Sequence, residues 1–215
     1  MEKYSEEKLQ VIEAGKQMLR NGWVVGTWGN ISIRTEDGKC MVITPSGVDY
    51  ELITPESMCV IDLKGNLVTG VRPSIESELH LKIYQTRADV NAVIHTHSTY
   101  ASALAALRIT VPPVFDEMAQ IIGGEIRTAE YALPGSRELA DHCVKTLGNV
   151  MAVLLANHGA VCVAENLPGA FKICHVLEKV LESYILARSV GEPVVLKQED
   201  VAFMRDYFTN VYDRQ

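Results

Sequence analysis

The stretch that most constrains this chain is Ala92-Val93-Ile94-His95-Thr96-His97-Ser98. Its apolar start reads as a buried strand, and it ends in two histidines one residue apart. In an extended strand, side chains at i and i+2 share a face, so His95 and His97 can aim at one point. Two imidazoles converging at a strand end can begin a metal site. The alternative is a pair of surface histidines beyond a strand. A metal site would need the rest of the chain to supply a third ligand, a carboxylate and a pocket.

Composition narrows the setting. A chain of 215 residues, 47% of them hydrophobic and 22% charged, is long enough for one sizeable core and short for two, so residues 1–215 are expected to form a single domain. The formal net charge of −7 argues against a nucleic-acid surface, which would cluster Lys and Arg. It leaves phosphate binding by backbone amides and hydroxyls open. No apolar run reaches the ~18 residues of a membrane span. The first seven residues are too polar for a secretory signal. Cys40, Cys59, Cys143, Cys162 and Cys174 are odd in number and form no C-x-x-C pair, so they are expected as reduced, mostly buried thiols of a cytoplasmic protein.

In chain order, Ser5 is expected to cap a first helix with Glu6 and Glu7 in its first turn. Leu9, Ile12, Met18 and Leu19 form its stripe, and Asn21-Gly22 ends it. Gly26-Thr27-Trp28-Gly29-Asn30 precedes an alternating strand, residues 31–34. Its two glycines let backbone approach an anion, or simply make a turn. Asp37-Gly38 marks a hairpin into the strand at residues 41–43, which runs into Thr44-Pro45-Ser46-Gly47. A second hairpin is expected around Lys64-Gly65-Asn66.

A helix is predicted over residues 74–85 with Ser74 as N-cap and Glu76 in the first turn. There Glu76 serves either helix-start electrostatics or a site at the rim. His80, four residues on, faces the same side, as a ligand or as a buried, hydrogen-bonded histidine. Residues 99–107 read as an alanine-rich helix. Asp116-Glu117 stands before an apolar segment ending at Gly123-Gly124, as a helix start or as a source of a catalytic acid. Ser136 caps a helix over residues 137–147. Asn157-His158-Gly159 links two apolar strands and holds a third histidine in a tight turn. A long helix starts at Asn166-Leu167-Pro168 and stops at Gly191, and a last one covers residues 199–207.

Five motifs in order make the chain resemble the class II aldolase/adducin family, and within it the L-fuculose-1-phosphate aldolase branch. They are Gly26-Thr27-Trp28-Gly29-Asn30-Ile31-Ser32, Thr44-Pro45-Ser46-Gly47, Ser74-Ile75-Glu76, His95-Thr96-His97 and Asn157-His158-Gly159. The resemblance spans roughly residues 7–212. It implies an α/β/α sandwich whose central, mainly antiparallel sheet is flanked by helices. It also implies a homotetramer with sites at subunit interfaces. It implies Zn²⁺ on His95, His97 and His158, with Mn²⁺, Fe²⁺ or Co²⁺ as other occupants. Glu76 matches the family's carboxylate, which ligates the resting metal and swings off as general base. Thr27, Gly29, Asn30, Ser46, Gly47 and Ser74 match its phosphate cradle.

Three positions depart from the branch's pattern. Ile75 replaces a second serine before the glutamate. Glu117 stands where the family has a tyrosine acid contributed from the neighbouring subunit, and resembles the glutamate acid/base of methylthioribulose-1-phosphate dehydratases. Tyr212 aligns loosely with a C-terminal tyrosine, with Tyr207 as a substitute. The implied activity is cleavage of a short ketose 1-phosphate to dihydroxyacetone phosphate and an aldehyde through a Zn-stabilised enediolate. Glu76 is then the base, and Glu117 or Tyr212 the acid on the aldehyde oxygen. A dehydratase or epimerase on the same metal site is the second reading. A non-catalytic adducin-like module is the third, and it would be expected to have lost the ligands kept here.

Overall fold

A computed structural model of the protein describes residues 3–212, except for the side chain of Tyr212. The expectation for that tyrosine therefore lies outside the described residues. The elements are α1 (Ser5–Arg20), β1 (Asn30–Arg34), β2 (Cys40–Ile43), β3 (Cys59–Asp62), β4 (Leu67–Thr69), α2 (Ser77–Thr86), β5 (Ala92–Thr96) and α3 (Thr99–Leu107). A π-helical turn (Met118–Ile122), β6 (Thr128–Ala129), α4 (Arg137–Leu147), β7 (Ala152–Leu155) and β8 (Gly159–Ala164) follow, then α5 (Leu167–Val190), α6 (Gln198–Tyr207) and a last π-helical turn (Phe208–Tyr212). The strands form one sheet in the order β4-β3-β2-β1-β5-β8-β7-β6. Every pairing is antiparallel except β6 with β7.

Strand alternation builds a core on each face of the sheet. Ile31, Ile33, Val42, Val60, Ile94, Leu154 and Cys162 point to one face and pack against α1, α3, α5 and the first π-helical turn. Met41, Ile43, Ile61, Val93, Val153, Val161 and Val163 point to the other, against α2 and α4. Each buried aliphatic side chain contributes about 1.5–3 kcal/mol. A one-residue slip of a strand would turn its inward residues to the wrong face, so two filled faces pin the register. All five cysteines are buried and free, as their apolar contexts predicted. Among the described residues, no helix is long and apolar enough to cross a membrane.

Two helix starts differ from expectation. Tyr4, in a left-handed conformation, takes the N-cap position of α1, and Ser5 is already helical. The buried face of that helix runs through Lys8, Val11, Ile12, Gly15 and Met18, which leaves Leu9 exposed. Ser74 does not cap α2, because residues 72–74 are held extended. Pro45 and Pro73 form a β-bridge, the Ser46 amide donates to Arg72 O at 3.0 Å, and the Ser74 amide donates to Thr44 O at 3.1 Å. The helix therefore starts later, with Glu76 at the N-cap position. Ser136 and Asn166 cap as expected, accepting from the Leu139 and Gly169 amides at 3.1 and 2.8 Å.

Candidate active site and metal centre

Three strand ends and one helix start meet at the site. His95, next to last in β5, follows Val93 onto the face covered by α2 and α4 and is wholly buried. The register Asn30↔His95 sets the head of β1 on one side of it, and Thr96↔Ala160 sets the β7–β8 turn on the other. Asn157 takes the turn at φ 56, its amide donates to Ala105 O at 3.1 Å, and its Oδ1 accepts from Arg108 Nε at 2.8 Å. Two glycines let these neighbours close in. A Cβ on Gly159 would stand 2.2 Å from Thr96 O, and one on Gly29 would stand 2.8 Å from His95 O.

His97 lies just past β5, its amide donating to Trp23 O at 2.9 Å. The next residue is fixed from a distance. Ser98 Oγ donates to Glu178 Oε1 at 2.8 Å, and the Ala101 and Tyr100 amides donate to the two Glu178 oxygens at 2.8 and 3.2 Å. This carboxylate of α5 closes the first turn of α3, where free amides favour an anion. Glu178→Ala is expected to lower stability by about 1–3 kcal/mol, because the amides lose their acceptor. Chemical denaturation checks this, and an unchanged midpoint would contradict it.

His95, His97 and His158 offer ring nitrogens that all lie within 4.8 Å of one another. His95 Nδ1–H donates to Ala160 O at 2.9 Å, which leaves its Nε2 bare and aimed at His97 Nε2, 3.0 Å away. Glu76 Oε2 lies 3.2 Å from His95 Nε2, and Oε1 lies 3.5 Å from His158 Nε2. Burial and the neighbouring histidines bring His97 down to about 3, and burial with His95 brings His158 to about 4, so both imidazoles are neutral with free lone pairs. Burial raises the Glu76 carboxyl, but His95, His158 and the Asn30 amide outweigh it and keep it below its ordinary value.

The chemistry of this set fits a divalent cation. Nitrogens held about 2.0–2.1 Å from one Zn²⁺ lie no more than about 4 Å apart. The His95–His97 pair at 3.0 Å is inside that span, and the set as a whole, within 4.8 Å, needs only a small side-chain closure to meet it. Glu76 Oε1 and His158 Nδ1 are buried with no hydrogen-bond partner among the described residues, an arrangement that native structures seldom leave unsatisfied.

The site opens into a cleft of about 430 Å³ lined by Thr27, Gly29, Asn30, Ser46, Gly47, Ser74, Glu76, His97 and His158, a size suited to a small ligand. So every residue matched to the phosphate cradle lines one cleft with Glu76 and two of the histidines. Trp28, Pro45, Ile75, Pro134 and Asn157 line it as well. Of these, the sequence flagged Ile75 as a departure, carried Trp28, Pro45 and Asn157 within the matched motifs, and gave no signal for Pro134. His80 takes the buried, hydrogen-bonded alternative rather than the ligand one: it is wholly buried behind the site, where burial takes it down to about 3. Glu117 does not line its own chain's cleft and is ion-paired with Lys179 of α5, which lowers its carboxyl; the resemblance assigns that position to a neighbouring subunit's site.

A three-histidine and carboxylate centre at the strand ends of an α/β sheet defines a class of candidate metal-site enzymes, and comparison with known proteins narrows it. Residues 9–185 match the family model described as the Class II Aldolase and Adducin N-terminal domain. The 5-deoxy-D-ribulose 1-phosphate aldolase of Bacillus thuringiensis serovar kurstaki is 36% identical over 197 residues, covering 91% of this chain and 92% of that one. The L-fuculose phosphate aldolase of Escherichia coli (strain K12) is 36% identical over 200 residues, covering 93% and 92%. A solved L-fuculose 1-phosphate aldolase superposes with a TM-score of 0.91 at 41% identity, covering 95% of this chain and 96% of the other. The chain belongs to the class II aldolase and adducin family. Its similarity to these aldolases makes it an enzyme of the lyase class.

Proposed function

We propose that the protein is a metal-dependent aldolase that cleaves a short ketose 1-phosphate, of the fuculose or 5-deoxyribulose kind, to dihydroxyacetone phosphate and an aldehyde. The observation that carries this reading is the convergence of His95, His97, His158 and Glu76 at a cleft lined by small hydroxyl-bearing and glycine residues. His95, His97 and His158 would hold the cation, with Glu76 as a resting ligand. Three neutral imidazoles and a carboxylate suit Zn²⁺, and Mn²⁺, Fe²⁺ or Co²⁺ are the other occupants such ligands accept. When bound, the cation supplies Lewis-acid stabilisation of the negative charge that develops as the carbon–carbon bond breaks.

The protein's own groups do the rest. Among the described residues no Lys or Arg lines the cleft, so the phosphate is met there by dipoles and hydroxyls. The Ser46 and Ser74 amides already donate to Arg72 O and Thr44 O, which leaves their hydroxyls as the donors at those two positions. Thr27, Gly29, Asn30 and Gly47 complete the cradle and fix the carbon chain relative to Glu76. In cleavage, the hydroxyl beside the scissile bond loses its proton and the bond breaks. The electron pair stays with the ketone phosphate half, and Glu76, ionised at rest, takes up a proton from the substrate hydroxyl or solvent before delivering it to that carbon. In the reverse direction Glu76 removes it. The Lys179 pairing of Glu117 favours Tyr212 of a neighbouring chain as the group that exchanges a proton with the aldehyde oxygen. The exposed Trp28 and Ile75 at the cleft suit cover by such a neighbour in a homotetramer. Five reduced thiols suit the cytoplasm.

The test is a panel of fuculose, 5-deoxyribulose and methylthioribulose 1-phosphates given to metal-analysed protein, with products identified by NMR and mass. Dihydroxyacetone phosphate and an aldehyde are expected. Water loss without carbon–carbon cleavage would replace the aldolase reading with the dehydratase one. No turnover by fully metal-loaded protein would favour the non-catalytic module.

A further inference from the structure

Behind Glu76 runs a line of polar side chains that are among the most buried in the protein. Tyr84 and His80 sit on the inner face of α2, and Ser32 and Asn30 sit on the facing side of β1; Ser32 and His80 are wholly buried. Glu76 Oε2 is 2.8 Å from Asn30 Nδ2, and Asn30 Oδ1 is 2.5 Å from His80 Nε2. His80 Nδ1 is 2.6 Å from Ser32 Oγ, which is 2.8 Å from Tyr84 Oη.

With Glu76 ionised and His80 neutral, as its complete burial favours, one assignment of hydrogens satisfies every contact. An ionised carboxylate only accepts, so Asn30 must turn its NH₂ towards it. Asn30 Oδ1 then faces His80 Nε2, which must carry a hydrogen. His80 Nδ1 is therefore bare and accepts from the Ser32 hydroxyl. Ser32 Oγ in turn accepts from Tyr84. The opposite tautomer would set a bare Nε2 against Asn30 Oδ1, two acceptors in contact. The line ends at a carboxylate whose other oxygen, Oε1, has no hydrogen-bond partner among the described residues.

We propose that Tyr84, Ser32 and His80 form a positioning device that locks the Asn30 carboxamide with its NH₂ on Glu76 Oε2, so that Oε1 is the oxygen that carries the proton. His80 is a positioning residue: it touches neither the cleft nor the three ring nitrogens. The proton-carrying role of Oε1 rests on the aldolase reading, whereas the orientation of the line does not.

The two parts are tested separately. Long-range ¹H–¹⁵N correlation spectra of the metal-free, full-length protein, with His80→Gln for assignment, are expected to show His80 as a single neutral tautomer with its hydrogen on Nε2. A hydrogen on Nδ1, or averaging between tautomers, overturns the proposal. In the metal-loaded enzyme, His80→Leu is expected to lower kcat about tenfold or more at unchanged KM and metal content. His80→Gln keeps an amide donor for Asn30 and is expected to stay within about threefold of the parent protein. Equal losses in the two variants, or a loss confined to KM, would refute positioning. If His80→Leu does not fold, Ser32→Ala takes its place, since it removes only the hydroxyl facing Nδ1. It is expected to mix the tautomers and lower kcat, and a single Nε2–H tautomer with full kcat overturns the proposal. A protein inactive on every ketose phosphate would defeat the aldolase reading while leaving the tautomer result legible.

Discussion

His97→Ala is expected to lose both bound metal and turnover, the latter by about a thousandfold or more. His97 lines the cleft beside Trp28, and its Nε2 faces that of His95 at 3.0 Å. Alanine leaves two imidazoles and Glu76 around the same point, with one coordinating position given to water. Lewis-acid stabilisation is worth several kcal/mol, and each 1.36 kcal/mol is tenfold in rate, which sets the expected size. The fold is not expected to suffer in proportion, because His97 follows β5 rather than lying within its paired run, and its backbone amide to Trp23 is kept. Metal content after dialysis and single-turnover assays read the two effects. Full turnover in metal-stripped protein, or a metal-replete His97→Ala, would be incompatible with the proposed centre.

Glu76→Gln is expected to keep the cleft and lose about 10²- to 10⁴-fold in kcat, the usual worth of a positioned acid–base group. The change is nearly isosteric. The Asn30 amide still finds an oxygen to donate to, and the Ser74 hydroxyl still accepts from the residue 76 amide, as it does at 3.3 Å. What is lost is the ability to take and return a proton. KM should change little, because in the proposed mode the phosphate is met by other cleft residues, Thr27, Ser46 and Ser74 among them. A kcat within tenfold of the parent protein would remove Glu76 from the proton path.

Much of the site was legible because its local parts obey short-range rules. The i, i+2 spacing of His95 and His97 fixes their common face, and glycines mark where backbones must come close. Alternation alone separates the two faces of β1, β2, β5 and β8. What the sequence did not disclose depends on pairing between distant segments. The start of α2 is displaced from Ser74 because the 45–73 bridge holds the chain extended, a contact between separate loops. Tyr4 displaces Ser5 as N-cap of α1 through a left-handed backbone that no pattern announces. The two-residue β6 is too short for any periodicity. The Asn30–His80 line exists only because β1 is flanked by β5 and covered by α2, so His80 read as an ambiguous histidine. Glu117 carries the right chemistry, and its ion pair with Lys179 sixty-two positions away in the sequence turns on how α5 packs.

The two tryptophans divide the molecule between them. Trp23 is buried, its ring 5.7 Å from that of Phe171 and 4.6 Å from that of His175. Trp28 is largely exposed at the cleft, its ring edge-on to His97 at 5.5 Å. The protein therefore carries two separable optical gauges. In the single chain a soluble quencher reaches Trp28 and spares Trp23, so the quenchable part of the intrinsic fluorescence reports on what covers the cleft, a ligand or a neighbouring chain. The shielded part reports on the integrity of the core, and the two can be followed in one titration without a label.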